Sequence, residues 1–259
     1  MNANLAALLS CLSLLISLTG CALSSRNFEE AMDHYLAEDA NIEKISAGVA
    51  RYTRRKKERE QEEYRQGEEA RVSGQEAPGV KLELERSPRR GRRGALVTIV
   101  QFSDFDCPAS DAGHRAVLGV LARYPDDVEV VFKNFPIEGH EWARPAARAA
   151  LAAGEQGRFW EMHDELYERQ VHLSEAEITA AAEAVGLDLA RFENDLRRNR
   201  RRYDRMIQAD YDEGVRVGVG GTPAYFINGR HTAGAHPYHF FSEVVRVFKR
   251  QAEAALRGS

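Results

Sequence analysis

The chain has 259 residues, of which 43% are hydrophobic and 8% aromatic, so it is long enough to bury a substantial core. Its formal net charge of −4 argues against a general nucleic-acid binder. The three cysteines are Cys11, Cys21 and Cys107, and the first two lie in an N-terminal apolar segment. If that segment is processed, only Cys107 keeps a free thiol, which excludes an intramolecular disulfide framework.

Residues 1–21 are predicted to form a signal peptide with a lipobox. The apolar run at 5–18 is too short for a comfortable membrane span. It ends in Leu-Thr-Gly-Cys at 18–21, which resembles a bacterial lipobox, whose cysteine is acylated and becomes the new N-terminus. The resemblance implies lipidation at Cys21. An ordinary signal peptide or an uncleaved anchor is the alternative, and each carries the rest of the chain out of the cytoplasm.

Residues 22–73 are predicted to be a charged helical spacer. Two short apolar stripes precede residues 53–63, which contain no apolar residue, as is typical of a solvated helix with paired charges. One interpretation is a spacer between a membrane and the following domain. A helix contact through the first stripe, and hence an oligomer, is a second interpretation, and a partly ordered tail is a third.

Residues 74–94 have the Gly-, Pro- and Ser-rich composition of a linker, with one strand-like piece at 80–84. A dense basic cluster at 89–93 ends it. Anionic lipid head groups would attract such a cluster. We favour the simpler interpretation, a solvated loop.

The pattern of apolar residues in the rest of the chain predicts alternating strands and helices. Continuous apolar runs indicate buried strands, and apolar residues at three- and four-residue spacing indicate helices. Asn228-Gly229 is the strongest two-residue hairpin signal available, and Ser174-Glu175-Ala176-Glu177 resembles the capping box at the start of a helix. The predicted elements are strands at 97–102 and 128–132, a helix at 108–123, a helical segment at 140–217 with breaks at 154, 170–173 and 186–188, hairpin strands at 224–227 and 231–233, and a helix at 237–256.

Cys107 lies where the strand at 97–102 passes into the first of these helices. Free backbone N–H groups and the positive end of the helix dipole favour a thiolate there. Pro108 falls in the first helical turn, where its missing N–H is harmless. The redox motif of such a site is Cys-x-x-Cys, but here the fourth position is Ser110.

Several motifs in the same order resemble the DsbA-like thioredoxin-fold family of bacterial thiol–disulfide oxidoreductases, over residues 97–248. They lie at 102–108, 132–136, 143–147, 157–164 and 221–229. The resemblance implies an α/β thioredoxin fold with an inserted helical subdomain over residues 95–257, preceded by the charged helical segment. It also implies a cis Thr222–Pro223 bond that faces Cys107 and leaves the Thr222 main chain to pair with an extended substrate.

Two positions depart from the family pattern. Gln101 stands where relatives commonly have a Glu that exchanges protons with the resolving thiol. Ser110 cannot resolve the mixed disulfide that a Cys107 thiolate would form, although it can donate a hydrogen bond to that thiolate. Three nearby carboxylates would oppose the thiolate: Asp104, Asp106 and Asp111.

Two functions follow. The first is single-cysteine thiol–disulfide exchange in the cell envelope, facing the periplasm or exterior, with Cys107 and Ser110 as catalytic residues. Pro108, Thr222 and Pro223 would bind the substrate, which would be protein thiols or disulfides, with glutathione or another small thiol as a partner. The second is a redox-inactive module that binds polypeptides or a partner protein.

No cofactor motif is present. His231, His236 and His239 lack a cysteine or carboxylate at regular ligand spacing, so no metal site is expected. His140 and His163 are expected to cap helices or to pack.

Overall fold

The computed structural model describes residues 39–73 and 79–258. Cys21, the predicted signal peptide and the first part of the predicted spacer lie outside these ranges. The described part of this segment forms helix α1, Asp39–Ser73, and is helical as predicted. Most of its described side chains are exposed, including Tyr52 at 67%. In the described ranges no helix combines the length and apolar composition that a membrane crossing needs.

The domain that follows contains a five-stranded mixed sheet of order β1-β3-β2-β4-β5. Strands β2 and β3 are parallel, and every other neighbouring pair is antiparallel. β2 and β3 are almost entirely buried, as their apolar runs predict for central strands covered on both faces. The strands are β1 Arg89–Gly91, β2 Val97–Ser103, β3 Val128–Asn134, β4 Ala224–Ile227 and β5 Arg230–Ala233.

Seven α-helices and one short 3₁₀ helix complete the described part of this domain. Helices α2 and α8 share one apolar core with the sheet, and α3 to α7 form a second core that also takes in Phe105 and Phe132. This second group is the helical insertion predicted from the sequence. The helices are α2 Pro108–Arg123, α3 Ala143–Gly154, α4 Phe159–Glu168, α5 Glu175–Ala184, α6 Leu189–Arg198, α7 Arg200–Arg216 and α8 Tyr238–Gly258.

Two local predictions are confirmed at single residues. Ser174 caps α5, since its hydroxyl accepts the N–H of Glu177 at 3.2 Å. The β4–β5 turn has positive φ angles at Asn228 (47°) and Gly229 (82°), the conformation that an Asn-Gly hairpin turn adopts. Asn228 also accepts the N–H of Thr98 at 2.8 Å, so the turn is attached to β2.

The predicted linker is wrong in its second half. Arg89–Gly91 form edge strand β1, which pairs with β3, whereas the strand-like piece at 80–84 is irregular. The basic cluster is not simply a solvated loop, because Arg89 pairs with Glu129 and Arg90 with Asp164, each at 2.7 Å. These partners are distant in the sequence, so composition alone missed them. The break between α6 and α7 at Asn199 was also missed, since no Gly or Pro marks it.

Candidate functional site

Cys107 caps the N-terminus of α2 in an extended conformation, and its N–H donates to the Asp104 carbonyl at 3.2 Å. Its own carbonyl accepts the Ser110 N–H at 2.8 Å, which begins the helix. Pro108 follows at the first helical position, as predicted. Pro108 and Ala109 are exposed, while Cys107 itself keeps an exposed fraction of 9%. The sulfur therefore lies just beneath the surface.

The Thr222–Pro223 bond is cis, which confirms the expectation drawn from the family resemblance. The Cys107 thiol donates to the Thr222 carbonyl, with 3.4 Å between sulfur and oxygen. The fold thus brings together Cys107 and Thr222, which are 115 residues apart in the sequence. This contact also covers part of the sulfur, which is why the thiol is less exposed than its position at a helix start suggests.

Ser110 lies in the first turn of α2. Its side chain is fully buried, and its hydroxyl accepts the N–H of Asp104 at 3.4 Å. Within the described residues it makes no hydrogen bond to the Cys107 sulfur. With Cys107 as a thiol, Ser110 contacts the loop that precedes Cys107, and its donation to a Cys107 thiolate stays a prediction.

The carboxylates near Cys107 hold loops together. Asp104 accepts the N–H of Asp106 (2.8 Å), the N–H of Ile137 (2.8 Å) and Nδ1 of His140 (2.7 Å). Burial raises the pKa of Asp104, and these hydrogen bonds act in the opposite direction. Asp106 in turn accepts the N–H of Trp142 at 3.0 Å. Two aspartates thus fasten the active-site loop to the segment after β3.

Each of the three carboxylates expected to oppose the thiolate has a hydrogen-bonding or ionic partner. Asp111 pairs with Arg115 one turn along α2. His140, expected to cap or pack, is instead the partner of Asp104.

Gln170 is a site residue that the sequence did not indicate. Its Nε2 donates to two carbonyls of the active-site loop, Phe105 at 2.9 Å and Cys107 at 2.7 Å. The residue lies in a short 3₁₀ turn after α4, where the sequence showed only a break between helices. No local pattern identifies such a contact, because its partners lie more than sixty residues away in the chain.

Gln101 occupies the position beneath the site where the family pattern has Glu. It is 1% exposed, and its amide donates to the Ser103 hydroxyl at 3.3 Å. That hydroxyl is also 2.7 Å from the Tyr167 hydroxyl, and burial raises the pKa of Tyr167 well above its ordinary value. Gln101, Ser103 and Tyr167 therefore form a neutral hydrogen-bond chain.

The opposite side of the site depends on a close approach of α2 to β4. A methyl group at Gly113 would overlap the Tyr225 hydroxyl and would lie 3.1 Å from Cγ of Pro223. Only glycine lets α2 lie this close to the proline that faces Cys107. The Tyr225 hydroxyl is buried and has no hydrogen-bond partner within the described part of the chain.

A thioredoxin family model, Thioredoxin_4, matches residues 83–246. Together with the fold and the cysteine–proline geometry, this match decides the family. The chain belongs to the DsbA-like thioredoxin-fold family. Membership supports a thiol–disulfide oxidoreductase-like function.

Solved structures of the family have the same fold. A periplasmic thioredoxin-like protein from Salmonella enterica is 26% identical to this chain. The match covers 65% of this chain and 98% of that protein, with a TM-score of 0.55. The thiol–disulfide exchange protein α-DsbA2 from Wolbachia pipientis, at 22% identity, covers 62% of this chain and 87% of its own, with a TM-score of 0.58.

A sequence relative is the Na(+)/H(+) antiporter NhaA 3 of Salinispora tropica. It is 40% identical over 179 residues, which make up 69% of this chain and 27% of that protein. This chain spans about a quarter of the length of the curated relatives that it matches. The likeness therefore concerns a part of each relative.

Proposed function

We propose that this protein carries out thiol–disulfide exchange in the cell envelope with a single cysteine, Cys107. The observation that carries the proposal is the contact between the Cys107 sulfur at the start of α2 and the carbonyl of Thr222, which precedes the cis-proline. Family membership supports the chemistry, and the likeness to the periplasmic protein from Salmonella enterica supports the location.

The first step is attack by the Cys107 thiolate on one sulfur of a substrate disulfide. The substrate S–S bond breaks, a Cys107–substrate disulfide forms, and the leaving thiolate takes a proton from solvent. Ionisation of Cys107 also removes the hydrogen that the Thr222 carbonyl accepts. That carbonyl then becomes an acceptor for a backbone N–H of an extended substrate beside Pro223.

A second thiolate completes the cycle by attacking the mixed disulfide and releasing Cys107. A thiolate of the same polypeptide gives isomerisation with no net transfer of electrons. A separate thiol such as glutathione releases Cys107 and forms a disulfide with the substrate sulfur. A second equivalent of that thiol then attacks this disulfide, which frees the substrate thiol and leaves the two small thiols joined, so the net reaction is reduction of the substrate. Ser110 takes no part in this transfer, since a hydroxyl forms no stable bond to sulfur.

Non-reducing gels of cell extracts test this proposal. We expect adducts of high mass that need Cys107 and disappear on reduction, and Pro223→Ala should change their yield. The rival function, a binding module without redox activity, is favoured by the low exposure of Cys107. It predicts that Cys107→Ser captures the same partners with unchanged affinity, a result that would end the exchange proposal.

Ser110→Cys gives a gain-of-function test, because residue 110 follows one turn after Cys107. The variant should reduce a small disulfide protein that the native chain reduces poorly. Ala112→Cys is the matched control, since Ala112 is exposed on the same helix but not at the fourth position of the motif. Equal activity of Ser110→Cys and the native chain would mean that Cys107 already resolves its mixed disulfides by another route.

We further propose that acylation at Cys21 tethers the chain, with the charged helix as spacer. Cys21→Ala should abolish incorporation of a labelled fatty acid, whereas Cys11→Ala should not. Label retained in Cys21→Ala would contradict the anchor without affecting the exchange proposal.

A further inference from the structure

Three potential metal ligands converge between α2 and α4. They are His114 on α2 and the adjacent pair His163 and Asp164 on α4, and their ligand atoms all lie within 4.8 Å of one another. His114 Nε2 is 3.7 Å from Asp164 Oδ1, and His163 Nδ1 is 3.0 Å from the same oxygen. Among the described residues, no other group of three histidines, cysteines or carboxylates comes this close.

These separations suit a tetrahedral cation. Zn²⁺ binds imidazole nitrogen and carboxylate oxygen at about 2.0–2.2 Å, which places neighbouring ligand atoms about 3.3 Å apart. The two measured separations lie on either side of that value. No separation in the group exceeds 4.8 Å, so each pair of ligand atoms needs to approach by at most about 1.5 Å to share a cation. Two imidazoles and one carboxylate are also a ligand set that Zn²⁺ and similar divalent metals accept.

The surroundings of His163 give an independent reason for a cation. Its Nδ1 faces Asp164, whereas its buried Nε2 has no hydrogen-bond partner in the described residues. Rings of Phe132, Trp160 and Tyr167 surround it at centroid distances of 4.7, 4.9 and 5.1 Å.

Each neutral form of His163 leaves one nitrogen poorly placed. With the proton on Nδ1, the buried Nε2 lone pair has no donor in the described residues. With the proton on Nε2, the Nδ1 lone pair meets a carboxylate oxygen. A cation between Nδ1 and Oδ1 removes the second conflict, because both atoms then bind it and the proton stays on Nε2 in an aromatic environment.

Arg90 holds the other oxygen of the carboxylate. Its Nη1 donates to Asp164 Oδ2 at 2.7 Å, so Oδ1 is directed toward the two imidazoles. A partner on the far atom of a metal ligand fixes the orientation of that ligand. His114 is held as well, since its ring stacks on Tyr167 at a centroid distance of 4.6 Å.

We propose that His114, His163 and Asp164 form a binding site for a divalent transition metal of the Zn²⁺ class. The metal would join α2, which begins at Cys107, to α4 of the helical insertion. The site is structural, because its two histidines are buried in the domain.

Calorimetric titration with Zn²⁺ tests the proposal on a chain whose three cysteines are replaced by Ser, so that no thiolate competes. We expect about one Zn²⁺ per chain and a higher midpoint of thermal unfolding when Zn²⁺ is present. Asp164→Asn and His114→Gln should each weaken binding at least about tenfold. His239→Gln changes an exposed histidine on α8 and should leave binding unchanged.

Co²⁺ provides a test that needs no substitution of the proposed metal-binding residues. Bound to the cysteine-free chain, it should show the visible absorption of a tetrahedral site with nitrogen and oxygen ligands, and Zn²⁺ should displace it. No binding by the cysteine-free chain would overturn the proposal. The proposal would also be overturned if Asp164→Asn and His114→Gln bound Zn²⁺ as tightly as the cysteine-free chain. It would be overturned too if His239→Gln lost as much Zn²⁺ affinity as those two variants.

Discussion

The two sides of the Cys107 site are held in place by different interactions. On the cysteine side, Asp104, Asp106 and Gln170 hydrogen-bond to backbone groups of the active-site loop and the segment after β3. On the proline side, packing of Gly113 against Tyr225 brings α2 against the cis-proline. The cysteine side should therefore be sensitive to lost donors and acceptors, and the proline side to added volume.

The largest expected effect is on the proline side, at Gly113→Ala. The added methyl overlaps the Tyr225 hydroxyl, so the ring or α2 must move, at a cost of about 3 kcal/mol in the free energy of unfolding. Chemical denaturation measures this cost. In a Tyr225→Phe background the overlapping oxygen is gone, so the same substitution should cost clearly less. Equal costs in both backgrounds would show that packing at Tyr225 does not set the spacing.

On the cysteine side, Gln170→Ala removes the amide that donates to the carbonyls of Phe105 and Cys107. We expect a loss of about 2 kcal/mol in stability and faster alkylation of Cys107, because the loop is less constrained. Gln156→Ala is the control, since Gln156 donates to a backbone carbonyl at an exposed site. A loss no greater than that of the control would contradict the role given to Gln170.

Tyr225→Phe alone should have a smaller effect of the opposite sign. Its hydroxyl is buried without a hydrogen-bond partner within the described part of the chain, so its removal ends a desolvation cost. We expect the free energy of unfolding to rise by about 0.5–1 kcal/mol. A decrease in denaturation experiments would indicate that the hydroxyl has a partner, such as a buried water.

The smallest effect is a pH dependence at Asp104. Burial raises its pKa in the folded state, so the folded protein binds this proton more tightly than the unfolded chain. The stability contributed by Asp104 therefore rises as the pH falls from the raised folded value toward the ordinary value of 3.8. Asp104→Asn does not titrate. The difference in the free energy of unfolding, native chain minus Asp104→Asn, should therefore increase as the pH falls through this window. A difference that stays constant or decreases as the pH falls would contradict the assignment.

Local patterns in the sequence were enough to predict the elements around the site. Continuous apolar runs predicted β2 and β3, and the helical period predicted α2 with Pro108 in its first turn. Asn228-Gly229 predicted the hairpin, and Ser174 the start of α5. These predictions succeed because period, turn chemistry and capping depend on residues a few positions apart.

The cis-proline opposite Cys107 was expected only from the family resemblance. Its motifs occur in the same order along the chain as in the family, and the structure confirms the bond. Periodicity alone does not indicate which peptide bond is cis.

Only the tertiary structure decided which polar side chains meet. The sequence around Asp104 does not show that its carboxylate accepts two backbone N–H groups and an imidazole, because its partners at Ile137 and His140 are placed by the fold. Edge strand β1 looked like a linker because its partner is β3, far along the chain. His114 and Asp164 likewise converge only when α2 packs near α4. The physical reason is that hydrogen bonds and ion pairs act over a few ångströms in space, whereas a sequence records distance along the chain.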